Sequence, residues 1–226
     1  MTETDLRDAT LDELRVALAP DIATAAMFDG WTDAALESAC EMADVDPAVA
    51  RLAFKGDGFG GRAMDMIDAW IASVDEKMLA HFADGRLDNI PIREKIRSLV
   101  WFRLEAVMGL EESLRRAAAV QAMPQNAPKA LKQGWASADK MWRLAGDTAT
   151  DYNHYTKRAI LAGIYAATLA VFVEDQSEDK AETAAFLDRR IEGVMKFEKA
   201  KAQLLGKDRE HFDVARFLGR LRYPQK

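Results

Sequence analysis

Apolar side chains recur at helical spacing from one end of the chain to the other, and no stretch alternates as a strand would. Leu14, Leu18, Ile22, Ala25 and Ala26 share one face, which predicts a helix over Leu11–Asp29, closed by Gly30 as a left-handed C-terminal residue. Thr32 is placed to cap a short second helix that turns Ala35, Leu36 and Ala39 inward. Asp44-Val45-Asp46-Pro47 reads as a turn, with proline opening a third helix to Phe54. After a glycine-rich break, a long helix from about Phe59 to Phe82 displays Met66, Ile67, Trp70, Ile71, Val74 and Met78.

The later part continues in the same mode. Asn89 is expected to cap a helix started by Pro91, whose inward face reads Ile92, Ile96, Leu99, Val100, Arg103, Leu104 and Val107. Leu110–Gln121 continues or restarts it, and Pro124 and Pro128 mark a corner before a helix that ends near Leu144. Gly146-Asp147 breaks the chain again. Strongly apolar Tyr152–Phe172, then Lys180–Lys201 and finally Asp208–Leu221 complete the set. The expected fold is all-α: a helix-turn-helix unit over 1–58, a larger helical part over 59–203, and a terminal amphipathic helix over 204–226.

Charge changes how the front end is read. Two short helices joined by a tight turn form the architecture of a DNA reader, but residues 1–85 hold 18 acidic against 6 basic side chains. The would-be recognition helix offers Arg51 alone and carries no Asn or Gln to read bases. Affinity for DNA rests on neutralising phosphates with Lys and Arg, so no nucleic-acid partner is expected. The basic charge lies at the other end, where residues 189–226 hold 11 basic against 5 acidic side chains. That asymmetry points to an anionic partner for the tail.

Chemical motifs are few. Gly56-Asp57-Gly58-Phe59-Gly60-Gly61 satisfies G-x-G-x-x-G but follows a helix rather than a strand, so it reads as a turn, not a dinucleotide cradle. Asp151-x-x-His154 and Asp208-x-x-His211 suggest di-iron ligands, yet both lie at helix beginnings, where Asp is common as a cap, and no further ligands fall at the bundle spacing. With one cysteine and three histidines, no nucleophilic triad, metal set or cofactor motif is assembled, and the reading is a binding protein without a cofactor. The single Cys40 reads as a packed thiol in a reducing compartment. Aromatic stripes on the later helices are read as core or as the lining of a pocket.

The final helix is strongly amphipathic. Val214, Phe217, Leu218 and Leu221 make an apolar stripe, and Arg209, Arg216 and Arg220 lie opposite it. That pattern suits a bilayer interface, and equally a helix docked on its own domain or on a second subunit.

Residues 141–159, Met-Trp-Arg-Leu-Ala-Gly-Asp-Thr-Ala-Thr-Asp-Tyr-Asn-His-Tyr-Thr-Lys-Arg-Ala, closely resemble the signature of the ninth Coq protein family of coenzyme Q (ubiquinone) biosynthesis. The likeness extends to Asp175, more loosely through Phe186–Arg190, and includes Gly30-Trp31-Thr32 and Phe54-Lys55 at the front. The resemblance implies a TetR-regulator-like fold without DNA binding, and a non-catalytic protein that holds lipid in an apolar pocket of the larger helical part. It further implies presentation of a polyprenyl-quinone intermediate to the di-iron demethoxyubiquinone hydroxylase.

On that footing the lipid lining is expected at Leu99, Phe102, Val107, Trp135, Ile160, Ile164 and Phe172. The partner surface is expected at Met141, Trp142, Leu144, Asp151, His154, Tyr155 and Arg158, with His154 standing where animal members carry Trp. Membrane contact is expected at Val214, Phe217, Leu218, Leu221, Arg216 and Arg220. The expected partners are an isoprenoid quinone or phospholipid, the hydroxylase, the membrane surface and a second copy of the chain. The expected setting is a bacterial cytoplasm, peripheral on the inner membrane. A TetR-like transcription regulator answering to an apolar effector stands as the alternative, and a di-iron enzyme behind it.

Overall fold

The computed structural model describes residues 6, 8–56, 60–149 and 152–204, and all regular structure among them is helical. The helices are α1 (Leu11–Asp29), α2 (Asp33–Ala43), α3 (Pro47–Ala53), α4 (Gly61–His81), α5 (Ile92–Glu105), α6 (Glu111–Gln121), α7 (Ala127–Leu144), α8 (Tyr152–Glu174) and α9 (Ala181–Leu204), with a short 3-10 turn over Glu178–Lys180 before the last. The described residues up to Leu187 form one compact unit, and those from Asp188 form a second.

Local chemistry explains where the first helices begin and end. Thr10 and Glu13 make a reciprocal capping box at the start of α1, which satisfies two backbone donors that the first turn leaves open. The helix runs through Pro20 and stops at Gly30, whose φ of +68° suits a residue without a Cβ. Thr32 occupies the capping position of α2, but its hydroxyl donates back to the Asp29 carbonyl (3.1 Å) rather than serving the new helix. Asp46 caps α3 by accepting from the Ala48 amide at 2.8 Å, and Pro47 opens it.

Two sequence expectations shift in the middle of the chain. Asn89 is not the cap of α5: Pro91 takes that position, and residues 82–91 instead turn at Gly85, with the Asp88 amide donating to the Gly85 carbonyl (2.9 Å). Pro128 lies in the first turn of α7 rather than at a corner, where its missing amide costs no helical hydrogen bond.

Helix α1 is the axis of the front half. Its buried face of Leu14, Leu18, Ile22, Ala23 and Ala26 packs on α2, α3, α4 and α6. The α6 contact is polar as well as apolar. Trp31 Nε1 donates to the Ser113 carbonyl (3.1 Å), and the Ser113 hydroxyl donates to the Ala23 carbonyl (2.5 Å). The Trp31 and Trp70 rings lie 5.3 Å apart beside them, which ties α4 into the same core. In the later half, α4, α5 and α8 pack on α7, and α8 also meets α5 and α6.

Candidate functional site

The signature segment folds as the α7–α8 hairpin. Helix α7 ends where Gly146 takes φ +89°, and the Asp147 amide then closes back on the Trp142 carbonyl (2.9 Å). This turn places Asp147 over the start of α8, where Lys157 Nζ reaches Oδ1 at 2.6 Å and Arg158 Nη1 reaches Oδ2 at 3.0 Å. Arg158 also binds Asp139 on α7 through Nε (2.5 Å), and Arg143 holds the other oxygen of that carboxylate (2.7 Å). Burial works against the charge on Asp139 and on Asp147, but the hydrogen bonds from these cations outweigh it and hold both carboxyls below the usual range. The hairpin is therefore clamped by a charged network on its inner side.

Its outer side is aromatic. Trp135, His154 and Tyr155 form a ring cluster, with centroids 5.1 Å apart for His154–Tyr155, 6.0 Å for Trp135–Tyr155 and 6.4 Å for Trp135–His154. His154 Nδ1 lies 2.9 Å from the Ala149 carbonyl, which makes that nitrogen the donor and fixes the ring. Trp142 Nε1 donates to the Lys157 carbonyl (3.0 Å), and Lys157 Nζ sits 5.3 Å from the Trp142 ring centroid. Tyr155 is 61% exposed, and Leu131, which the sequence reading did not single out, is 75% exposed one turn before Trp135.

The expected partner residues thus divide. Tyr155 is exposed and His154, Trp142 and Leu144 are half-buried, while Met141 is buried and Arg158 is 1% exposed. Tyr155 and Arg158, three residues apart, point to different environments because two carboxylates draw Arg158 inward. Asp139 was missed by the sequence reading; its i+4 spacing to Arg143 was the one local signal. Asp151 lies outside the described residues, as do Val214, Phe217, Leu218, Leu221, Arg216 and Arg220.

The expected lipid lining spreads along the larger part instead of meeting at one point. Leu99, Val107 and Phe172 are buried, and Phe102, Trp135, Ile160 and Ile164 are half-buried. Phe102 stacks with His81 (4.7 Å) and Phe82 (5.6 Å), Phe172 lies under Lys180 (4.8 Å), and Trp135 joins the aromatic cluster of the hairpin.

Between α4, α5, α7 and α8 sits a buried polar centre. Arg103 and Asp75, each 2% exposed, are joined by an ion pair. Lys140 binds the second Asp75 oxygen (2.6 Å), Ser137 accepts from Arg103 Nη2 (3.2 Å), and the guanidinium lies 5.0 Å from the Tyr165 ring centroid. Burial opposes the Arg103 charge, but Tyr165 and Asp75 more than offset it, so the group titrates above its ordinary range.

Helix α8 is apolar beyond what this packing uses. Asn153–Glu174 is long and apolar enough to cross a membrane by length and composition, and 22% of its most apolar 18 residues are buried. Ala159, Gly163, Ala166 and Ala170 are exposed along one side, with Ile160, Ile164 and Leu169 half-buried beside them.

Residues 127–198 match the family model described as COQ9. The ubiquinone biosynthesis protein COQ9, mitochondrial, of Rattus norvegicus is 31% identical over 74% of this chain and 54% of its own length. That of Homo sapiens is 28% identical over 74% and 52%, and COQ9-B of Xenopus laevis is 37% identical over 49% and 38%. The chain spans about half the length of the curated relatives it matches. Among solved structures, a TetR transcriptional regulator from Nitrosomonas europaea superposes with a TM-score of 0.61 at 19% identity, covering 79% of this chain and 95% of that one. The fold is TetR-regulator-like.

Proposed function

The chain matches COQ9 over residues 127–198 and is similar to a COQ9 protein over 74% of its length, and from that premise we propose that it is a non-catalytic, lipid-binding accessory protein of ubiquinone biosynthesis. It takes a polyprenyl-quinone intermediate from the membrane and presents it to the di-iron demethoxyubiquinone hydroxylase. The observation that carries the reading is the apolar surface left on α8 directly beside the aromatic cluster of the signature segment. Moving an isoprenoid chain from a bilayer onto such a surface is a partition rather than a reaction. Burial at about 25 cal/mol per Å² of apolar area offsets the loss of lipid contacts.

Each surface then has a task in this scheme. Ile160 and Ile164 receive the isoprenoid tail. Tyr155, His154 and Trp142 meet the hydroxylase, where aromatic side chains make the strongest anchors. The exposed small residues Ala159, Gly163, Ala166 and Ala170 allow a second copy of α8 to approach closely, giving a homodimer. The arginine-bearing tail rests on an anionic leaflet, each basic residue near the surface contributing about 1 kcal/mol. Removing residues 208–226 should abolish flotation with anionic vesicles, and unchanged flotation would remove that part of the scheme.

The likeness to a transcription regulator favours a second reading, in which an apolar effector releases the chain from an operator. Helix α3 argues against it, because Arg51 is already engaged by Glu37 and the surrounding helices are acidic. Organic extraction of the pure protein followed by mass spectrometry tests the first reading, and a gel shift at low salt tests the second.

A further inference from the structure

Helix α8 turns one stripe inward: Arg158, Leu161, Tyr165, Thr168 and Phe172 recur at spacings of three and four. Four of them are sealed, none more than 2% exposed, but Tyr165 in the middle is only half-buried. Packing along the inner side of α8 is therefore incomplete at one place. Arg103 of α5 lies against that place, its guanidinium 5.0 Å from the Tyr165 ring centroid.

The donors of Arg103 are not all used there. Nη1 donates to Asp75 Oδ1 and Nη2 to the Ser137 hydroxyl (3.2 Å), while Nε, buried with the rest of the group, has no hydrogen-bond partner. A buried donor left open on a charged group is costly, and native proteins keep few of them. Charge is unbalanced at the same point. Asp75 is shared between Arg103 and Lys140, which takes Oδ2 at 2.6 Å, so two cations face one carboxylate. Lys140 keeps 40% of its side chain exposed, which connects this centre to the surface.

A spare N–H donor and an excess positive charge call for an oxygen acceptor. The surroundings add a second condition, because the Tyr165 ring and, one turn on, the half-buried Leu169 are apolar. A small hydrated anion would leave those side chains unmatched. An amphiphile that carries an oxygen-bearing head on an apolar tail meets both conditions.

We propose that Arg103, Lys140 and Tyr165 form the polar end of a lipid site. Arg103 Nε donates to an oxygen of the head group, Lys140 supplies positive charge at the rim, and the tail leaves over Tyr165 and Leu169. Asp75 and Ser137 hold the guanidinium in place for that contact. The inference rests on the lipid-binding reading above and adds the end of the molecule that is held by hydrogen bonding.

The test uses the full chain and the displacement of a fluorescent hydrocarbon, diphenylhexatriene, by three probes that share a decyl tail. Decylbenzoquinone and decyl phosphate carry oxygen acceptors, and decylbenzene carries none. At least one of the first two should bind about tenfold tighter than decylbenzene, as a hydrogen bond to a buried charge implies. Which of them gains distinguishes a quinone from a phospholipid head. Arg103→Met leaves a neutral Asp75–Lys140 pair and should abolish that gain while decylbenzene binds as before. Lys140→Met, at a part-exposed side chain and therefore compatible with folding, should reduce the gain. The inference is overturned if decylbenzene binds as tightly as the other two, or if Arg103→Met weakens all three alike. Should Arg103→Met fail to fold by circular dichroism, an intact gain in Lys140→Met overturns it. Full competition by inorganic phosphate would mark a free-anion site and overturn it as well. Failure of the reporter and of all three probes to bind removes the lipid-binding reading itself, and the inference with it.

Discussion

Arg158 Nε lies 2.5 Å from Asp139 Oδ1, joining α8 to α7 beneath a side chain that is 1% exposed. The same guanidinium holds Asp147, itself nearly buried, so one arginine bridges two carboxylates of the hairpin, and Arg143 and Lys157 supply the rest of the positive charge. Its neighbour Tyr155 lies on the outside of the same helix. A residue that builds the hairpin and a residue that can touch a partner are thus separated by less than one turn.

Substitution at these two positions should therefore fail in different ways. Arg158→Ala removes the shared cation but leaves Arg143 on Asp139 and Lys157 on Asp147, and should cost about 1–3 kcal/mol of stability in urea unfolding. Tyr155→Ala should change stability by no more than about 0.5 kcal/mol, while weakening association with the hydroxylase at least about tenfold. Equal destabilisation by both substitutions would contradict this division of labour.

The Arg103–Asp75 pair should behave as a coupled unit. Asp75→Leu alone strands the buried Arg103 charge and should cost about 3–5 kcal/mol, and Arg103→Met, which leaves Asp75 its Lys140 bond, should cost less. The double substitution removes both charges and should recover most of that loss, measured as a non-additive double-mutant cycle. Additive losses would mean that Lys140 and Tyr165, not the pair itself, govern the site.

Acid should act through carboxylates held below their ordinary range. Burial raises the pKa of Asp175, but hydrogen bonds from the Ser177 and Thr183 hydroxyls and amides outweigh it and leave the group strongly lowered; Asp139 and Asp147 are lowered by their cations. A group whose folded pKa is depressed stabilises fully above its unfolded value, about 3.9 for Asp. It loses that contribution as pH falls through the folded value. Melting temperature should therefore be insensitive to these groups above about pH 5 and fall below about pH 4. Asp175→Asn should flatten part of that fall, and an unaltered acid limb would contradict the assignment.

Local rules made much of the fold legible. Helix α1 occupies the expected Leu11–Asp29, because its apolar face and Gly30 agree. Helix starts were less secure where two signals competed: Asn89 looked like a cap, but the turn at Gly85 displaced the helix start to Ile92. Arg103 fell on the inward face of its helix by spacing, yet nothing nearby announced Asp75, 28 residues earlier, as its counter-charge. The same limit hid Asp139 from Arg158, since an ion pair between helices depends on packing and not on spacing along one helix. The meeting of Trp135 with His154 and Tyr155 was equally out of reach, since only the hairpin brings the three rings together.

The central claim is that the apolar surface of α8 carries an isoprenoid lipid, and organic extraction with mass spectrometry tests it most directly when two proteins are compared. The unaltered chain should yield an isoprenoid quinone or a related lipid near one molecule per chain, and a chain with Ile160→Asp and Ile164→Asp, still helical by circular dichroism, should yield almost none. An unaltered chain purified from quinone-rich membranes without any such lipid, or equal recovery from both chains, would contradict the account.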